Sequence, residues 1–221
     1  MIVVKVGGSL FDHPALGSAL RTFVERLAPA EVLLVAGGGP VADAVRELDR
    51  VHGLGEEAAH WIALRALAVT ATFLEGIMGE PTPPAPLPEG RGVNARGASS
   101  DTPEVIARGM SVSPPPFREG GVGSSPLPIL DCFAFAREDD SRPGALPHTW
   151  SVTTDSIAAR AAIVFRAERL VLLKSVDVPP GMPWEDAAAI GWVDAHFPQV
   201  AATLACPVEV VNFRRQLPSR A

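Results

Sequence analysis

The chain has 221 residues, of which 47% are hydrophobic and 20% charged, so it is long enough for one domain with a sizeable core. Its net charge of -6 argues against a protein that binds the phosphate backbone of nucleic acids, because such binding needs a basic surface. The two cysteines, Cys132 and Cys206, are too few for a metal knuckle or a disulfide scaffold and fit free thiols in a reducing compartment.

Two features bear on membranes. The chain begins with an apolar strand rather than a basic segment, so no secretory signal is visible. The most apolar stretch, residues 58–78, contains His60, Arg65 and Glu75, which would be expensive in hydrocarbon. We therefore expect a cytoplasmic protein without a membrane partner, in which this stretch forms a buried helix.

Outside residues 81–128, the patterns alternate between strands and helices, which predicts an α/β fold: a three-layer αβα sandwich with a mostly parallel central sheet. Pro14 and Pro40 suit the first turns of helices, and Thr154 suits a helix cap. In chain order, the patterns predict strands over residues 2–6, 31–36, 129–135, 169–174 and 208–212, and helices over residues 14–27, 40–51, 56–78, 154–165 and 195–204.

Residues 81–128 differ in composition from the rest of the chain. They contain 11 of the 22 prolines and a single aromatic residue, Phe117, so they cannot build a core. We predict a disordered Pro/Gly-rich insertion and favour an inert surface excursion over an active-site lid. Residues 1–80 and 129–221 are then predicted to form a single domain.

Two glycine-rich turns follow the first two predicted strands. Lys5-Val6-Gly7-Gly8-Ser9 places a cation near a strand end and two glycines after it, so backbone N–H groups can approach an anion closely. Alone, such a sequence can equally be a tight turn. Gly37-Gly38-Gly39-Pro40 joins the next strand to a helix N-terminus, which is a second place for an anion. The two turns should converge at one edge of the sheet, and neither matches a P-loop or a dinucleotide fingerprint.

Two further charged residues stand at element ends. Asp155 lies in the first turn of a predicted helix, where it could be a functional carboxylate or a plain helix cap. Lys174 ends a predicted parallel strand, at the edge where open α/β sheets bind ligands, or it is simply a solvated strand end.

Together these motifs resemble the amino acid kinase superfamily, which includes acetylglutamate, aspartate, carbamate and uridylate kinases. The resemblance covers most of the chain outside the insertion. Within the superfamily, the phrases around Asp155 and Lys174 look most like the kinase of methanofuran biosynthesis, which phosphorylates an aminomethylfuran methyl phosphate, and like its bacterial relatives in one-carbon metabolism. The motifs that carry the resemblance to the superfamily are Lys5–Ser9, Gly37–Pro40, Thr153–Ala159 and Leu172–Asp177.

The resemblance implies a kinase that uses ATP and Mg²⁺ on a small anionic substrate. It implies that Lys5 and Lys174 neutralise charge on the transferring phosphoryl group and that Asp155 orients both lysines. Phosphoryl transfer needs positioning and charge compensation more than covalent chemistry, so these groups would suffice. The implied nucleotide-binding residues are Gly7, Gly8, Ser9, Lys174 and Asp177, and the implied acceptor-binding residues are Gly37, Gly38 and Gly39.

Two departures keep another function open. Val178-Pro179-Pro180 follows Asp177 where the family commonly has a glycine and a nucleotide-binding loop, and the C-terminal part is short for this superfamily. The alternative is a non-catalytic nucleotide- or anion-binding subunit of the same fold.

No metal site is predicted, because His52 and His60 lack further ligands at a suitable spacing. We expect a homo-oligomer, although the Ala-rich residues 58–73 could form either a dimer face or part of the core.

Overall fold

The computed structural model describes residues 1–79 and 127–218. All but the last two residues of the predicted insertion lie outside the described residues, and its predicted disorder stays a prediction. Those last two residues belong to the edge of the core: Leu127 packs against other apolar side chains, and the carbonyl oxygen of Pro128 accepts a hydrogen bond from the Leu34 N–H (2.9 Å).

The centre of the fold is a sheet of four parallel strands in the order β2-β1-β3-β4. The strands are rich in Val, Ile and Leu. The first three in chain order are buried along nearly their whole length, which is typical of strands with helices on both faces of the sheet. The four strands are β1 (Ile2–Val6), β2 (Val32–Ala36), β3 (Arg169–Lys174) and β4 (Val208–Asn212).

Seven α-helices and two short 3-10 helices occur in the described residues. The α-helices are α1 (Leu16–Glu25), α2 (Gly39–His52), α3 (Glu56–Met78), α4 (Cys132–Asp139), α5 (Thr154–Val164), α6 (Trp184–Ala189) and α7 (Phe197–Ala201), and the 3-10 helices are Gly8–Leu10 and Phe213–Gln216.

Alternate residues of each strand face the two sides of the sheet. On one side, which we call the α5 face, Val3 and Leu172 pack with apolar residues of α4, α5, α6 and α7. On the other side, Val4 and Leu173 pack with α1, the end of α3 and Phe213. Helices therefore cover both faces, and the predicted three-layer αβα sandwich is confirmed.

The predicted strand over residues 129–135 is wrong for most of its length. Only Ile129 forms an isolated parallel bridge, to Leu34 of β2. The chain then turns into α4, because the Asp131 carboxylate accepts a hydrogen bond from the Ala134 N–H (3.0 Å) and caps the helix. Cys132 and Phe135, one helical turn apart, are both buried.

The other differences concern helices. The first helix starts at Leu16 rather than residue 14, and the predicted helix over residues 195–204 shortens to α7, whose first turn contains Pro198. The six-residue helix α6 was not predicted.

Helix α3 has the predicted bounds, but only one of its faces is buried. That face packs against α1, α2, α4 and β2. On the opposite face Ile62, Val69 and Phe73 are 41%, 59% and 41% exposed, so the prediction of a buried helix holds for one side only. By length and composition α3 is also the one helix among the described residues that could cross a membrane, which is weak evidence in a helix packed on a sheet.

Candidate functional site

Lys5, Asp155 and Lys174 lie together at the carboxyl edge of the sheet. Lys5 is the penultimate residue of β1, Lys174 ends β3, and Asp155 is in the first turn of α5. Lys5 Nζ lies 2.8 Å from Asp155 Oδ1, and Lys174 Nζ lies 2.7 Å from each Asp155 oxygen. Asp155 therefore bonds to two ammonium groups instead of capping α5, and Lys174 is not a solvated strand end.

All three side chains are withdrawn from solvent, since Asp155, Lys5 and Lys174 are 4%, 5% and 8% exposed. Two ammonium groups share one carboxylate, so the protonated cluster carries one surplus positive charge. An unbalanced charge is costly to hold away from water. An anion bound beside the lysines would supply the missing balance.

The pKa values of the cluster reflect this imbalance. Burial would raise the pKa of Asp155, but the charges of Lys5 and Lys174 outweigh burial and hold that pKa below its usual value. Burial, reinforced by the charge of Lys5, lowers the pKa of Lys174 to about 8 in spite of its bonds to Asp155. The charge state of Lys174 is therefore sensitive to pH and to any anion nearby.

The whole sequence contains two lysines, Lys5 and Lys174, and every other of its 19 Lys and Arg residues is Arg. Both lysines reach the same carboxylate. Lysine is a compact point charge whose pKa shifts readily on burial, whereas arginine stays charged. Both lysines of the chain therefore lie at Asp155, in a buried site that suits a compact cation whose charge can change with pH.

The two glycine-rich turns touch each other through their backbones. A Cβ atom on Gly8 would lie 2.2 Å from the backbone nitrogen of Gly39, and a Cβ atom on Gly37 would lie 2.4 Å from that of Gly8. Gly7 packs as closely on β3, where its Cβ would lie 2.7 Å from the Leu173 carbonyl oxygen. The predicted convergence of the turns is present, and no side chain fits between them.

The remaining residue of the first turn, Ser9, joins two strand ends. Its hydroxyl oxygen lies 2.9 Å from that of Ser175, the residue after β3. Its carbonyl oxygen accepts a hydrogen bond from Arg214, whose guanidinium also donates to Asp12 (2.7 Å). Arg214 follows β4, so the turn after β1 is tied to the end of β4.

Asp177, the last of the predicted nucleotide-binding residues, is exposed at the same edge and pairs with Arg215 (2.6 Å). Sequence reasoning missed both arginines. An Arg-Arg pair directly after an apolar strand was the signal that could have indicated them.

Asn212 is a further polar residue that the sequence did not reveal. It ends β4 as the register partner of Lys174, and the alternation of the strands places both side chains on the α5 face. Its Oδ1 atom is buried and is the one buried side-chain N or O atom without a hydrogen-bond partner among the described residues. A buried acceptor without a donor calls for a physical explanation.

Asp194, in the loop between α6 and α7, was also missed. Its carboxylate accepts hydrogen bonds from the backbone N–H and hydroxyl of Thr153 and of Ser156 and from the N–H of Phe197. The predicted cap, Thr154, is instead the first residue of α5, and the N-cap residue Thr153 makes no capping bond with its own side chain. The cap comes from a residue about 40 positions away, which no local pattern indicates.

Within residues 1–79 and 127–218, no three His, Cys, Asp or Glu side chains gather as metal ligands. The carboxylate at the centre of the site is occupied by two ammonium groups. His60 is buried and its Nδ1 lies 3.2 Å from the Thr149 carbonyl oxygen.

Comparisons with known proteins agree with this architecture. Residues 1–85 match the model of the amino acid kinase family, a span that includes both glycine-rich turns and Lys5. The structure is similar to that of uridylate kinase from Archaeoglobus fulgidus, with a TM-score of 0.52 and 16% sequence identity over 96% of this chain and 90% of that chain. No curated protein matches the sequence. The structural likeness shows a shared fold, and the family model matches the N-terminal part of the chain, which carries the two turns.

Proposed function

We propose that the protein is an ATP-dependent kinase that transfers the γ-phosphoryl group to an oxygen atom of a small anionic molecule. The observation that carries this proposal is the surplus positive charge of the buried Lys5–Asp155–Lys174 cluster, which lies at the carboxyl edge of the sheet, where the two glycine-rich turns also lie. The family match and the fold support a phosphotransferase.

Each member of the cluster has a task in phosphoryl transfer. The transferred group spreads negative charge over its oxygens, and positioned cations lower the barrier by compensating that charge. The two lysines supply the cations, and Asp155 holds both ammonium groups in place. Because the cluster is buried, the cations act with little screening by water.

The residues present also fit ATP. The backbones of the two turns lie so close that an anion there would meet backbone rather than side chains. The N–H groups of Gly7 and Gly37 already donate to the Leu173 and Val6 carbonyl oxygens, so the N–H groups for an anion would come from the other residues of the turns. When bound, ATP supplies the γ-phosphoryl group. We place the nucleotide beside the ends of β3 and β4, near Ser9, Asp177 and the two arginines Arg214 and Arg215. In this arrangement Asn212 Oδ1 would accept a hydrogen bond from an amino or hydroxyl group of the nucleotide.

Mg²⁺ fits the described residues less well, because they offer no set of carboxylates for it. We therefore place Mg²⁺ on the ATP phosphates and assign it no protein ligand.

The acceptor would lie on the side of Gly37, Gly38 and Gly39, at the N-terminus of α2, where a helix favours an anion. The Gly37 N–H already donates to the Val6 carbonyl oxygen (2.8 Å), so the contacts to the acceptor would come from the residues after it. An aminomethylfuran phosphate of methanofuran-type cofactor synthesis remains our proposed acceptor, on the strength of the sequence motifs alone. A cytoplasmic location and a homo-oligomeric state likewise stay proposals.

Calorimetric titration with Mg-ATP tests the proposal. The wild type should bind, and Lys174→Met should bind more weakly by about 1.5–3 kcal/mol, the range for a hydrogen bond to a charged group. That is on the order of tenfold to a hundredfold in Kd. Arg169→Met is the matched control, because Arg169 is a cation at the other end of β3 that pairs with Glu209 at the surface.

Lys174→Met leaves Asp155 paired with Lys5 alone, so the variant should stay folded without a buried surplus charge. A folded wild type that does not bind Mg-ATP would rule out the kinase. Equal binding by wild type and Lys174→Met would rule out the proposed centre.

A further inference from the structure

We propose that Asp194 is a positioning residue for the phosphoryl-transfer centre, which it serves by fixing the first turn of α5 around Asp155 and by adding a negative charge to the surroundings of Lys174. Its effect on catalysis rests on the proposed function, whereas its effect on the lysines does not.

The geometric step starts from the residues beside Asp155. Asp194 holds Thr153, two positions before Asp155, and Ser156, directly after it, each through both its N–H and its hydroxyl. Ser156 is fully buried. With bonds on both sides, the backbone that carries Asp155 has little freedom to shift. Positions of catalytic groups matter at this scale, because an error of about 1 Å can cost a hundredfold in rate.

The same carboxylate anchors a second element. It accepts a hydrogen bond from the Phe197 N–H (2.9 Å), and Phe197 is a fully buried residue of α7. Asp194 therefore ties the start of α5 to the core of the α5 face. This arrangement differs from an ordinary helix cap such as Asp131, whose carboxylate bonds to one N–H three residues further along its own helix.

The electrostatic step concerns the charges that surround Lys174. Lys5 on β1 disfavours its protonated form, whereas Asp155 on α5 and Asp194 in the α6–α7 loop favour it, and Asn212 on β4 is neutral. Two carboxylates thus face two ammonium groups, and among the residues that the structure describes Asp155 is the carboxylate that bonds to them. Asp194 partly offsets the surplus charge, while its own hydrogen bonds go to Thr153, Ser156 and Phe197 rather than to the lysines.

Titration of the lysines by NMR tests this inference without ATP. Because the chain has two lysines, protein made with [13Cε]lysine gives two side-chain signals, and Lys5→Met assigns them. In the wild type, Lys174 should titrate near pH 8. In Asp194→Asn its midpoint should fall measurably below that of the wild type, because a charge that favours the protonated form is lost, and in Asp131→Asn it should not move.

Ser156→Ala separates geometry from charge, because it removes one hydrogen bond and keeps the Asp194 carboxylate. The Lys174 midpoint should stay in place, while single-turnover phosphoryl transfer slows several-fold with saturating Mg-ATP. A folded Asp194→Asn protein with the wild-type Lys174 midpoint would overturn the inference.

If Asp194→Asn does not fold, Asp194→Glu replaces it. The longer side chain keeps the charge and displaces the hydrogen bonds, so transfer should slow while the Lys174 midpoint stays near that of the wild type. A Glu variant with the wild-type transfer rate would contradict the positioning role. The NMR titration needs no substrate, so its result does not depend on whether the protein is a kinase. Conversely, a Lys174 midpoint that does not change in Asp194→Asn would contradict the role of Asp194 and would not bear on the kinase proposal.

Discussion

At the scale of single residues, Asp155 holds the site together, because both buried ammonium groups bond to it. A helix cap at this position would accept hydrogen bonds from the first N–H groups of α5 and would tolerate an amide almost as well as a carboxylate. A carboxylate between two cations does not tolerate that exchange.

We predict that Asp155→Asn destabilises the protein at pH 7 by about 3–5 kcal/mol, the cost of removing one partner from a buried ion pair. The loss should shrink as pH rises. Burial and the charge of Lys5 hold the pKa of Lys174 below that of the unfolded chain, and removing the Asp155 charge lowers it further. The unfolded chain then binds more protons than the folded variant, so the stability of the variant increases as pH rises through this range. Urea denaturation at neutral and at alkaline pH measures both effects, with Asp131→Asn as the control. A variant as stable as the wild type would mean that Asp155 is only a cap.

We also predict an alkaline limit to activity that belongs to Lys174. Its pKa of about 8 lies below the ordinary 10.5, so kcat/KM for Mg-ATP should fall as pH rises through about 8 and the cation loses its proton. Negative charge on the bound phosphates raises the pKa of Lys174, so the limb in kcat should lie at higher pH. A kcat/KM that stays flat well above pH 8 would contradict the role of Lys174.

At the scale of elements, the contact between the two glycine-rich turns brings the ends of β1 and β2 together. Gly39 has φ +50°, a backbone conformation that suits glycine, and a Cβ atom there would also lie 3.0 Å from the Phe11 ring. The turns can approach closely because neither carries a side chain at the contact.

Gly8→Ala should therefore force the turns apart. A methyl group 2.2 Å from the Gly39 nitrogen meets backbone, which cannot move aside as a side chain can. We expect a loss of about 1–3 kcal/mol in stability, as for an overpacked core, together with weaker Mg-ATP binding. Gly76→Ala is the control, because a Cβ there meets nothing within 4 Å and alanine favours the helix by roughly 0.5–1 kcal/mol. Thermal denaturation of both variants would refute this account if Gly8→Ala were no less stable than Gly76→Ala.

The sequence predicted correctly those helices and strands that are determined by nearby residues. The strands 2–6, 169–174 and 208–212 and the helix 56–78 have the predicted bounds, because each is a long apolar run or periodic pattern between clear turn signals. The apolar residues 129–135 predict a strand, and that prediction is wrong because Asp131 caps helix α4, which begins at Cys132. Short helices such as α6 depend on packing more than on propensity.

The site divides in the same way. Lys5, Asp155, Lys174 and the glycines lie in motifs that can be read along the chain, and the structure brings them together. Asp194 and Asn212 stand in segments without a motif, and their places follow only from how α7 and β4 pack. The roles of all these residues in catalysis remain predictions.

At the scale of the whole molecule, the strand order explains why distant segments meet at this edge. The chain runs from β1 to β2 on one side and then returns past β1 to β3 and β4 on the other. Open α/β sheets bind ligands at the carboxyl end of such a reversal point. Lys5 and Lys174 stand on the two strands that flank it, so the topology alone places the cluster where a ligand is expected.

The most direct measurement is single-turnover transfer of the γ-phosphoryl group from radiolabelled Mg-ATP to a panel of acceptors: aminomethylfuran phosphate, uridylate and acylated amino acids. We predict that the wild type phosphorylates one of them and that Lys5→Met and Lys174→Met, both folded, are slower by at least about a hundredfold, as when one preorganised electrostatic group is lost. Arg169→Met should transfer at the wild-type rate. Transfer that is as fast in the lysine variants as in the wild type would contradict the assignment of the centre to Lys5, Asp155 and Lys174.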